Sequence, residues 1–264
     1  DPEMSRGLGD VYKRQHLGLD QKTKELLVAP ADNVTNFEGI QFLVENPYWE
    51  GAKISLYSAG EESIASMPNI KVGKFITQVI LQNIEVEDID LSNATDLRSA
   101  WVQNNPALQK LDLSYSTIWG QGDKETEGNG TYGSSLMVLG CPILKEIKLP
   151  EKNELKAYRI DIECLDALET FDMSNVKMVA ELSIGDLNKD FNLVYPELTI
   201  FYSEDGYAGT YFACSENTFY RESTQAFLKA NYTDIDPDDT VRRLGYTSSL
   251  SYDKNKGCRW RTLL

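Results

Sequence analysis

The sequence predicts a mostly β solenoid, and three observations support this fold class. Apolar residues recur in the order apolar-x-x-apolar-x-apolar, most copies begin about 11 residues after the previous one, and a unit of that length is too short for a helix with its connections. The last two apolar positions alternate, as a short strand with one buried face requires. The copies are Ile76/Val79/Leu81, Val86/Ile89/Leu91, Leu97/Ala100/Val102, Leu108/Leu111/Leu113, Leu144/Ile147/Leu149, Leu155/Tyr158/Ile160, Leu168/Phe171/Met173, Val179/Leu182/Ile184 and Tyr195/Leu198/Ile200.

The spacing of these copies indicates that two of them complete one coil. Two steps of 11 residues make 22, so residues 76–201 predict about four coils with extended segments on both sides of each coil. A β-sandwich is the alternative, because its strands also recur every 8–12 residues. A repeated residue pattern favours the solenoid, since the segment at 105–114 (NPALQKLDLS) matches the segment at 141–150 (CPILKEIKLP) position by position in its apolar residues.

These phrases resemble the leucine-rich-repeat surface proteins of host-associated bacteria, whose units read N-P-x-L-x-x-L-x-L-S. The resemblance covers residues 76–205 and implies a leucine-rich-repeat β-solenoid at the cell surface or outside the cell. The usual corner asparagine is present as Asn105 and is replaced by Cys141 and Leu165 in later units. We expect the small, weakly polar Cys141 to fill that corner while staying buried.

The segments on either side of the repeats are expected to cap the two ends of the solenoid. Residues 16–75 carry the apolar runs Ile40/Phe42/Val44 and Ile54/Leu56, which predict a few antiparallel strands as an N-terminal β cap. Residues 206–264 are expected to form a C-terminal cap and tail, with a short helix from Ser223, its N-cap, to Tyr232. Residues 1–15 resemble a translated sequencing adapter seen in metagenome-assembled proteins, and we expect this leader to be an artefact outside the fold.

One long step between copies predicts a loop insertion at 119–135. Its many glycines and charges exclude a packed element, so we expect a surface loop on the solenoid. Trp119 and Tyr132 flank the loop, and each can stack on a sugar ring or a partner side chain. The alternative is that both aromatic rings pack back onto the solenoid.

Composition excludes several classes of function. The 264 residues hold 26 Lys and Arg against 41 Asp and Glu, a net charge of −15, which disfavours a nucleic-acid partner. His16 is the one histidine, so an internal histidine base or a multi-histidine metal site is not expected. Apolar runs are too short to span a bilayer. We expect no cofactor, no metal and a monomer.

Residues between the buried positions must face outward and are the candidates for binding. One side carries Asp90, Asp112, Lys148 and Asp172, and the other carries Trp101, Arg159 and Ser183. Trp101 and Arg159 are the stronger candidates for a ligand-binding patch, because exposing an indole to water on a rigid strand is unfavourable unless the indole binds a partner. Alanine at either position is expected to weaken ligand capture with little change in melting temperature.

The four cysteines, Cys141, Cys164, Cys214 and Cys258, form no C-x-x-C pair and so predict neither a zinc site nor a redox motif. A bridge between Cys141 and Cys164 is conceivable, since 23 residues is about one coil. The sequence therefore leaves the disulfide status of these two residues open.

Three hypotheses on function follow from these features of the sequence. The first is a non-enzymatic surface recognition or adhesion protein that binds a protein or glycan through one face of the repeats. The second is a carbohydrate-active enzyme on a parallel β-helix, with Asp112 and Asp172 as its acid and nucleophile. The third is a structural spacer within a larger surface protein.

Overall fold

The computed structural model of this chain shows a parallel-strand β-solenoid of about five turns with few helices. It describes residues 17–20, 25–28, 35–45, 53–57, 64–74, 76–116, 118, 134–151, 154–188, 190–199, 203–204, 207–208, 210–231, 251–253 and 257–259. The mostly β solenoid predicted from the repeats is therefore confirmed. The repeats predict about four coils over residues 76–201, and the structure shows about five turns in a stack that also contains the strand Lys53–Tyr57.

The strands and helices of the described residues are mostly short. In chain order the strands are β1 (Leu17–Asp20), β2 (Glu25–Val28), β3 (Lys53–Tyr57), β4 (Ala65–Ser66), β5 (Ile70–Lys71), β6 (Gln78–Gln82), β7 (Ile84–Glu85), β8 (Ile89–Asp90), β9 (Ser99–Gln103), β10 (Lys110–Asp112), β11 (Ser135–Leu139), β12 (Glu146–Lys148), β13 (Leu155–Glu163), β14 (Thr170–Asp172), β15 (Val176–Gly185), β16 (Asn192–Val194), β17 (Ser203–Glu204), β18 (Tyr207–Ala208), β19 (Tyr211–Cys214), β20 (Ser251–Asp253) and β21 (Gly257–Arg259). The helices are α1 (Ile40–Val44), α2 (Glu216–Phe219) and α3 (Glu222–Asn231).

One side of the solenoid is a sheet of nine strands, which we call the long-strand sheet, in the order β1-β2-β3-β6-β9-β11-β13-β15-β19. Every neighbouring pair from β2 onward is parallel, and β1 pairs antiparallel with β2. One buried apolar residue from each strand between β3 and β19 lies in register across it, namely Ile54, Val79, Ala100, Leu136, Ile160, Leu182 and Phe212. This row fills the core from one side, as stacked coils require.

The opposite side consists of short parallel ladders that pair β4 with β7, β5 with β8, β10 with β12 and β14 with β16. β8 also packs next to β10, and β12 packs next to β14. Their buried residues contribute to the core, and they are Ala65, Ile70, Ile84, Ile89, Leu111, Ile147, Phe171 and Leu193. The prediction of extended segments on both sides of each coil is confirmed.

A β-bulge changes the role of one predicted core residue, Tyr158. The backbone N–H groups of Tyr158 and Arg159 both donate to the carbonyl of Ser134, at 2.7 and 3.2 Å. Two residues of β13 thus oppose one residue on the neighbouring strand, which shifts the alternation of side chains. Ala157 takes the inward position instead, and Tyr158 turns outward, where its hydroxyl donates to Glu181 at 3.0 Å.

After each of the strands β6, β9, β11, β13 and β15, the chain leaves the long-strand sheet through a residue in the left-handed conformation. These residues stack in one corner column, with φ of 55° at Asn83, 52° at Asn104, 61° at Gly140, 53° at Cys164 and 42° at Asp186. Glycine, asparagine and aspartate tolerate this conformation best, which explains four of these five residues. The side chains of Asn83 and Asn104 also join, Nδ2 of Asn104 donating to Oδ1 of Asn83 at 3.0 Å.

The position after each corner residue is the slot predicted from the repeated phrase. Asn105, Cys141 and Leu165 follow consecutive corner residues, and all three are buried. The structural role expected for Cys141 is therefore confirmed.

The N-terminal part differs from the prediction at Ile40, Phe42 and Val44, which form helix α1 and not a strand. Ile40 and Val44 are buried together with Phe37, a helical spacing, whereas Phe42 is 65% exposed. Apolar residues at alternate positions over only five residues are compatible with a strand or a helix. In the structure Ile40 and Val44 pack with the buried Phe37 on one side of the helix. The predicted strand at Ile54/Leu56 is present as β3, but it pairs in parallel and so continues the solenoid sheet.

The predicted insertion ends earlier than residue 135. Ser134 and Ser135 are buried at the start of β11. The repeat pattern does not predict this strand, because Gly133 occupies the position of the first apolar residue. Residues 119–133, with Trp119 and Tyr132, lie outside the described residues.

At the far end, α3 packs onto the last coil through Thr224, Phe227 and Leu228. The ring of Tyr195 stacks on Phe227 with centroids 4.6 Å apart, and its hydroxyl lies 2.9 Å from that of Thr224. Ser223 does not serve as N-cap, because the first helical hydrogen bond runs from Gln225 to the carbonyl of Arg221.

The side chain of Arg221 links this helix to the last coil. Its guanidinium donates to the carbonyl of Phe191 at 2.8 Å and to those of Leu187 and Asn188. These carbonyls belong to the corner that follows β15. Arg221 thus satisfies acceptors that another coil would otherwise bond.

Candidate functional site

The solenoid presents two outward surfaces, one on each layer of strands. We call the outward side of the short ladders the short-strand face and that of the long-strand sheet the long-strand face. The sequence placed Asp90, Asp112, Lys148 and Asp172 on one side and Trp101, Arg159 and Ser183 on the other. The structure places both sets as predicted.

On the short-strand face, charged residues form one row. Asp90 pairs in register with Lys71, and Asp112 pairs in register with Lys148. An ion pair joins Lys71 to Asp90 at 3.2 Å, and Lys110 bridges Glu146 at 3.3 Å and Asp112 at 3.8 Å. These pairs are largely exposed to water, so each adds little to stability.

The aspartates of this row have a backbone role that explains the repeated phrase Asp-x-Ser. The carboxylate of each accepts the backbone N–H two residues later, at 2.8 Å for Asp90 and Ser92, 3.0 Å for Asp112 and Ser114, and 2.8 Å for Asp172 and Ser174. Such Asx turns shape the corner after each short strand. The hydrogen bonds from Ser92 hold the pKa of Asp90 below its usual value.

The enzymatic hypothesis placed its chemistry on Asp112 and Asp172. β12, with Lys148 in the same row, lies between their strands, and both carboxylates are bound to backbone amides. Burial raises the pKa of Asp112, but the hydrogen bonds from Ser114 and the charges of Lys148 and Lys110 outweigh it, so the pKa is lowered. A general acid needs the opposite shift. This geometry gives the hypothesis no support.

On the long-strand face, Trp101 and Arg159 lie on the same side but not on adjacent strands. Trp101 is in register with Met137 of β11, whereas Arg159 is in register with Ser135 of the same strand, so β11 separates the two. Trp101 is half-buried, and its indole Nε1 donates to Oε1 of Gln103 at 3.1 Å. The sequence thus found the right face but not a shared contact.

Arg159 is an ion-pairing residue within this face. Its Nη2 contacts Oδ2 of Asp161 at 2.8 Å, and its Nη1 lies 3.6 Å from Oε2 of Glu181. The Arg159 side chain is only 21% exposed. Its guanidinium therefore neutralises the buried carboxylate of Asp161. A ligand that contacts Arg159 would contact this ion pair and not a free cation.

Sequence reasoning missed two carboxyl groups beside Arg159. Asp161 and Glu163 lie two residues apart on the outward side of β13, yet they are 0% and 2% exposed. Ser183 donates its hydroxyl proton to Oε1 of Glu163 at 2.9 Å. A Cβ on Gly185 would lie 3.2 Å from Cγ of Glu163, so glycine there leaves room for this side chain. We call Asp161 and Glu163 the carboxyl pair.

Burial governs the protonation of the carboxyl pair. Burial and the charge of Asp161 raise the pKa of Glu163 to about 8, despite the hydrogen bond from Ser183. Burial also raises the pKa of Asp161, although Arg159 opposes that shift. Such perturbed groups mark candidate functional positions. The signal was present in the sequence, because the alternation Arg159-Ile160-Asp161-Ile162-Glu163 places three charged residues on one side of a strand.

The described cysteines do not form the bridge considered from the sequence. Cys141 and Cys214 are buried free thiols, so no disulfide joins Cys141 to Cys164. Burial raises the pKa of both thiols to about 12, which keeps them protonated and unreactive. Their role is packing.

Within the described ranges, no group of three or more His, Cys, Asp or Glu side chains is arranged to hold a metal ion. None of the helices in that part of the chain has the length and apolar character needed to cross a membrane. No protein-family model, curated protein or solved structure matches the chain.

Proposed function

We propose that this protein is a non-enzymatic recognition protein that binds a protein or glycan through its long-strand face. The supporting observation is a patch around Trp101, which we call the tryptophan patch and define as Ile80, Gln82, Trp101 and Gln103. These four residues lie in register on β6 and β9, and all are half-buried.

The tryptophan patch combines an apolar surface with fixed polar groups. Ile80 pairs in register with Trp101 and extends the apolar area of the indole. Oε1 of Gln103 accepts from Trp101 at 3.1 Å and from Nε2 of Gln82 at 3.4 Å, which orients both side chains. An aromatic plane beside oriented amides suits the apolar face and hydroxyl groups of a sugar, or the side chains of a protein partner.

Rigidity is the second argument for recognition. Parallel strands on both sides of each coil fix the patch before any ligand arrives, so binding orders little of the protein and loses little free energy to that ordering. Leucine-rich-repeat surface proteins of host-associated bacteria, which the repeated phrases resemble, use solenoids in this manner. We extend the proposal to that family and to an extracellular or cell-surface location.

The test is capture by the full chain on glycan arrays and on arrays of host surface proteins. The variant Trp101→Ala is expected to lose at least about tenfold in affinity for the ligand found, because one buried aromatic contact commonly contributes more than about 1.4 kcal/mol. Tyr220→Ala is the matched control, since Tyr220 is an exposed aromatic between α2 and α3. Circular dichroism checks that each variant is folded.

Two results would contradict the proposal. One is a wild-type chain that captures nothing on either array. The other is a ligand whose affinity falls with Tyr220→Ala and not with Trp101→Ala, which would move recognition away from the long-strand face.

A further inference from the structure

The carboxyl pair contains two buried acids with too few partners for two negative charges. Oδ2 of Asp161 contacts Arg159 at 2.8 Å, and Oε1 of Glu163 accepts from Ser183 at 2.9 Å. The other oxygen of each, Oδ1 of Asp161 and Oε2 of Glu163, is buried and has no hydrogen-bond partner. A buried carboxylate oxygen without a donor is strongly unfavourable, so the geometry calls for a proton or a cation at this point.

The surrounding described side chains do not supply a second positive charge. On β13 the charged or titratable neighbours are Arg159 and Tyr158, and beside them on β15 and its corner lie Glu181 and Asp186. β11 contributes the apolar Met137 and Leu139, which pair in register with Asp161 and Glu163. Arg159 is shared with Glu181, so one cation faces several carboxyl groups.

We propose that Asp161 and Glu163 share one proton, which Glu163 carries at neutral pH and donates toward Asp161, and that this pair acts as a pH-sensitive device at the junction of β13 and β15. The proton gives the pair a single negative charge, which Arg159 balances. Loss of this proton in alkaline solution leaves a second negative charge on Glu163, which lies between Leu139 and Gly185 on the neighbouring strands. Repulsion and the need for water then loosen this part of the long-strand face.

The direction of the pH effect follows from linkage. The pKa of Glu163 is raised from the ordinary 4.5 to about 8 by burial first and by Asp161 second. Glu163 therefore contributes stability that is fully present below the unfolded pKa and is lost as pH rises through the folded pKa. The unfolding equilibrium constant is expected to rise about tenfold per pH unit between roughly pH 5 and pH 8.

The experiment compares thermal unfolding of the full chain from acid to alkaline pH with that of Glu163→Gln. Glutamine keeps the shape and an N–H donor for Asp161 but has no proton to lose. We expect the wild-type melting temperature to fall between roughly pH 5 and pH 8 and the variant to lose most of that dependence. Asp172→Asn, an exposed position on the short-strand face, is the matched control and should keep the wild-type slope.

A local measurement keeps the inference testable even if the variant is destabilised. Hydrogen exchange of amides in β13 and β15 is expected to accelerate with pH beyond its intrinsic rise in the wild type, and amides of β6 and β9 are the reference. No ligand takes part in either measurement, so failure of the proposed recognition role leaves both intact.

Two outcomes would overturn the shared proton. A wild-type chain whose stability is flat between roughly pH 5 and pH 8, or a Glu163→Gln variant with the wild-type slope, would show that Glu163 does not hold the proton. Calcium chloride that raises the wild-type melting temperature at neutral pH, and does so less in Glu163→Gln, would show that a cation and not a proton joins the pair.

Discussion

Cys141 occupies in its coil the position that Asn105 occupies one coil earlier, and both side chains bond the carbonyl two residues before them. Nδ2 of Asn105 donates to the carbonyl of Gln103 at 2.9 Å and to that of Leu81 at 3.2 Å, whereas Sγ of Cys141 lies 3.6 Å from the carbonyl of Leu139. The amide thus bonds the carbonyls of two coils, whereas the thiol bonds one carbonyl of its own coil and lies next to Asn105.

This difference predicts unequal costs of truncation. Asn105→Ala is expected to lower the free energy of unfolding by about 2 kcal/mol, because two buried carbonyls lose their donor. Cys141→Ala removes one weak hydrogen bond and a small buried volume, and about 1 kcal/mol is expected. Denaturant titration of both variants checks the order, and equal costs would show that the asparagine does not join the coils energetically.

The corner column predicts which residues Gly140 can become. With φ at 61°, Gly140→Val should destabilise the protein by about 2 kcal/mol or more, because a β-branched side chain clashes in the left-handed region. Gly140→Asn should cost less than about 1 kcal/mol, since Asn83 and Asn104 already adopt this conformation in the same column. Thermal unfolding distinguishes the two, and the reverse order would contradict this explanation of the corner.

Arg159 has a role in stability that changes the expectation drawn from sequence alone. Arg159→Ala leaves the buried carboxylate of Asp161 without its cation, and a loss of about 3 kcal/mol is expected in the free energy of unfolding. Adding Asp161→Asn should restore much of that loss, because the uncompensated charge is gone. Lys145→Ala, at an exposed lysine, is the control. An Arg159→Ala variant with the wild-type free energy of unfolding would show that the ion pair does not stabilise the protein.

Acid is expected to weaken the short-strand face. The pKa values of Asp90 and Asp112 are lowered by hydrogen bonds from Ser92 and Ser114, so these groups contribute stability above their unfolded pKa of about 3.8 and lose it as pH falls through the folded value. The double variant Asp90→Asn, Asp112→Asn should therefore be less stable than the wild type at neutral pH and lose less stability on acidification, a shift in pH dependence that denaturant titrations followed by circular dichroism at several pH values measure. Glu169→Gln is an exposed control, and an equal shift there would remove the role of the Asx turns.

The alternating apolar triplets allowed most of the fold to be predicted, because burial of one face per strand leaves a strict pattern. Ile89, Leu111 and Phe171 lie in the core where the repeat placed them. Tyr158 could not be placed, since a bulge depends on how Ser134 bonds across strands and not on local residue order. Ile40 and Val44 were misassigned because a five-residue apolar alternation is ambiguous between helix and strand.

The candidate site was predicted only in part. Alternation placed Trp101 and Arg159 on the correct face, but no local rule states that β11 would separate them or that Arg159 would bond Asp161. Charge alone also predicts exposure for Asp161 and Glu163, whereas both are buried. Contacts between strands that are distant in sequence decide these features.

Buried residues on neighbouring strands of the long-strand sheet stay in register although the number of residues between them varies. Ala100, Leu136, Ile160 and Leu182 pair in sequence across four strands, although 36, 24 and 22 residues separate them. Extra length between β9 and β11 therefore does not change the register of the paired strands. The stretch of sequence between β10 and β11 is accordingly the position at which we would graft a foreign peptide into this solenoid.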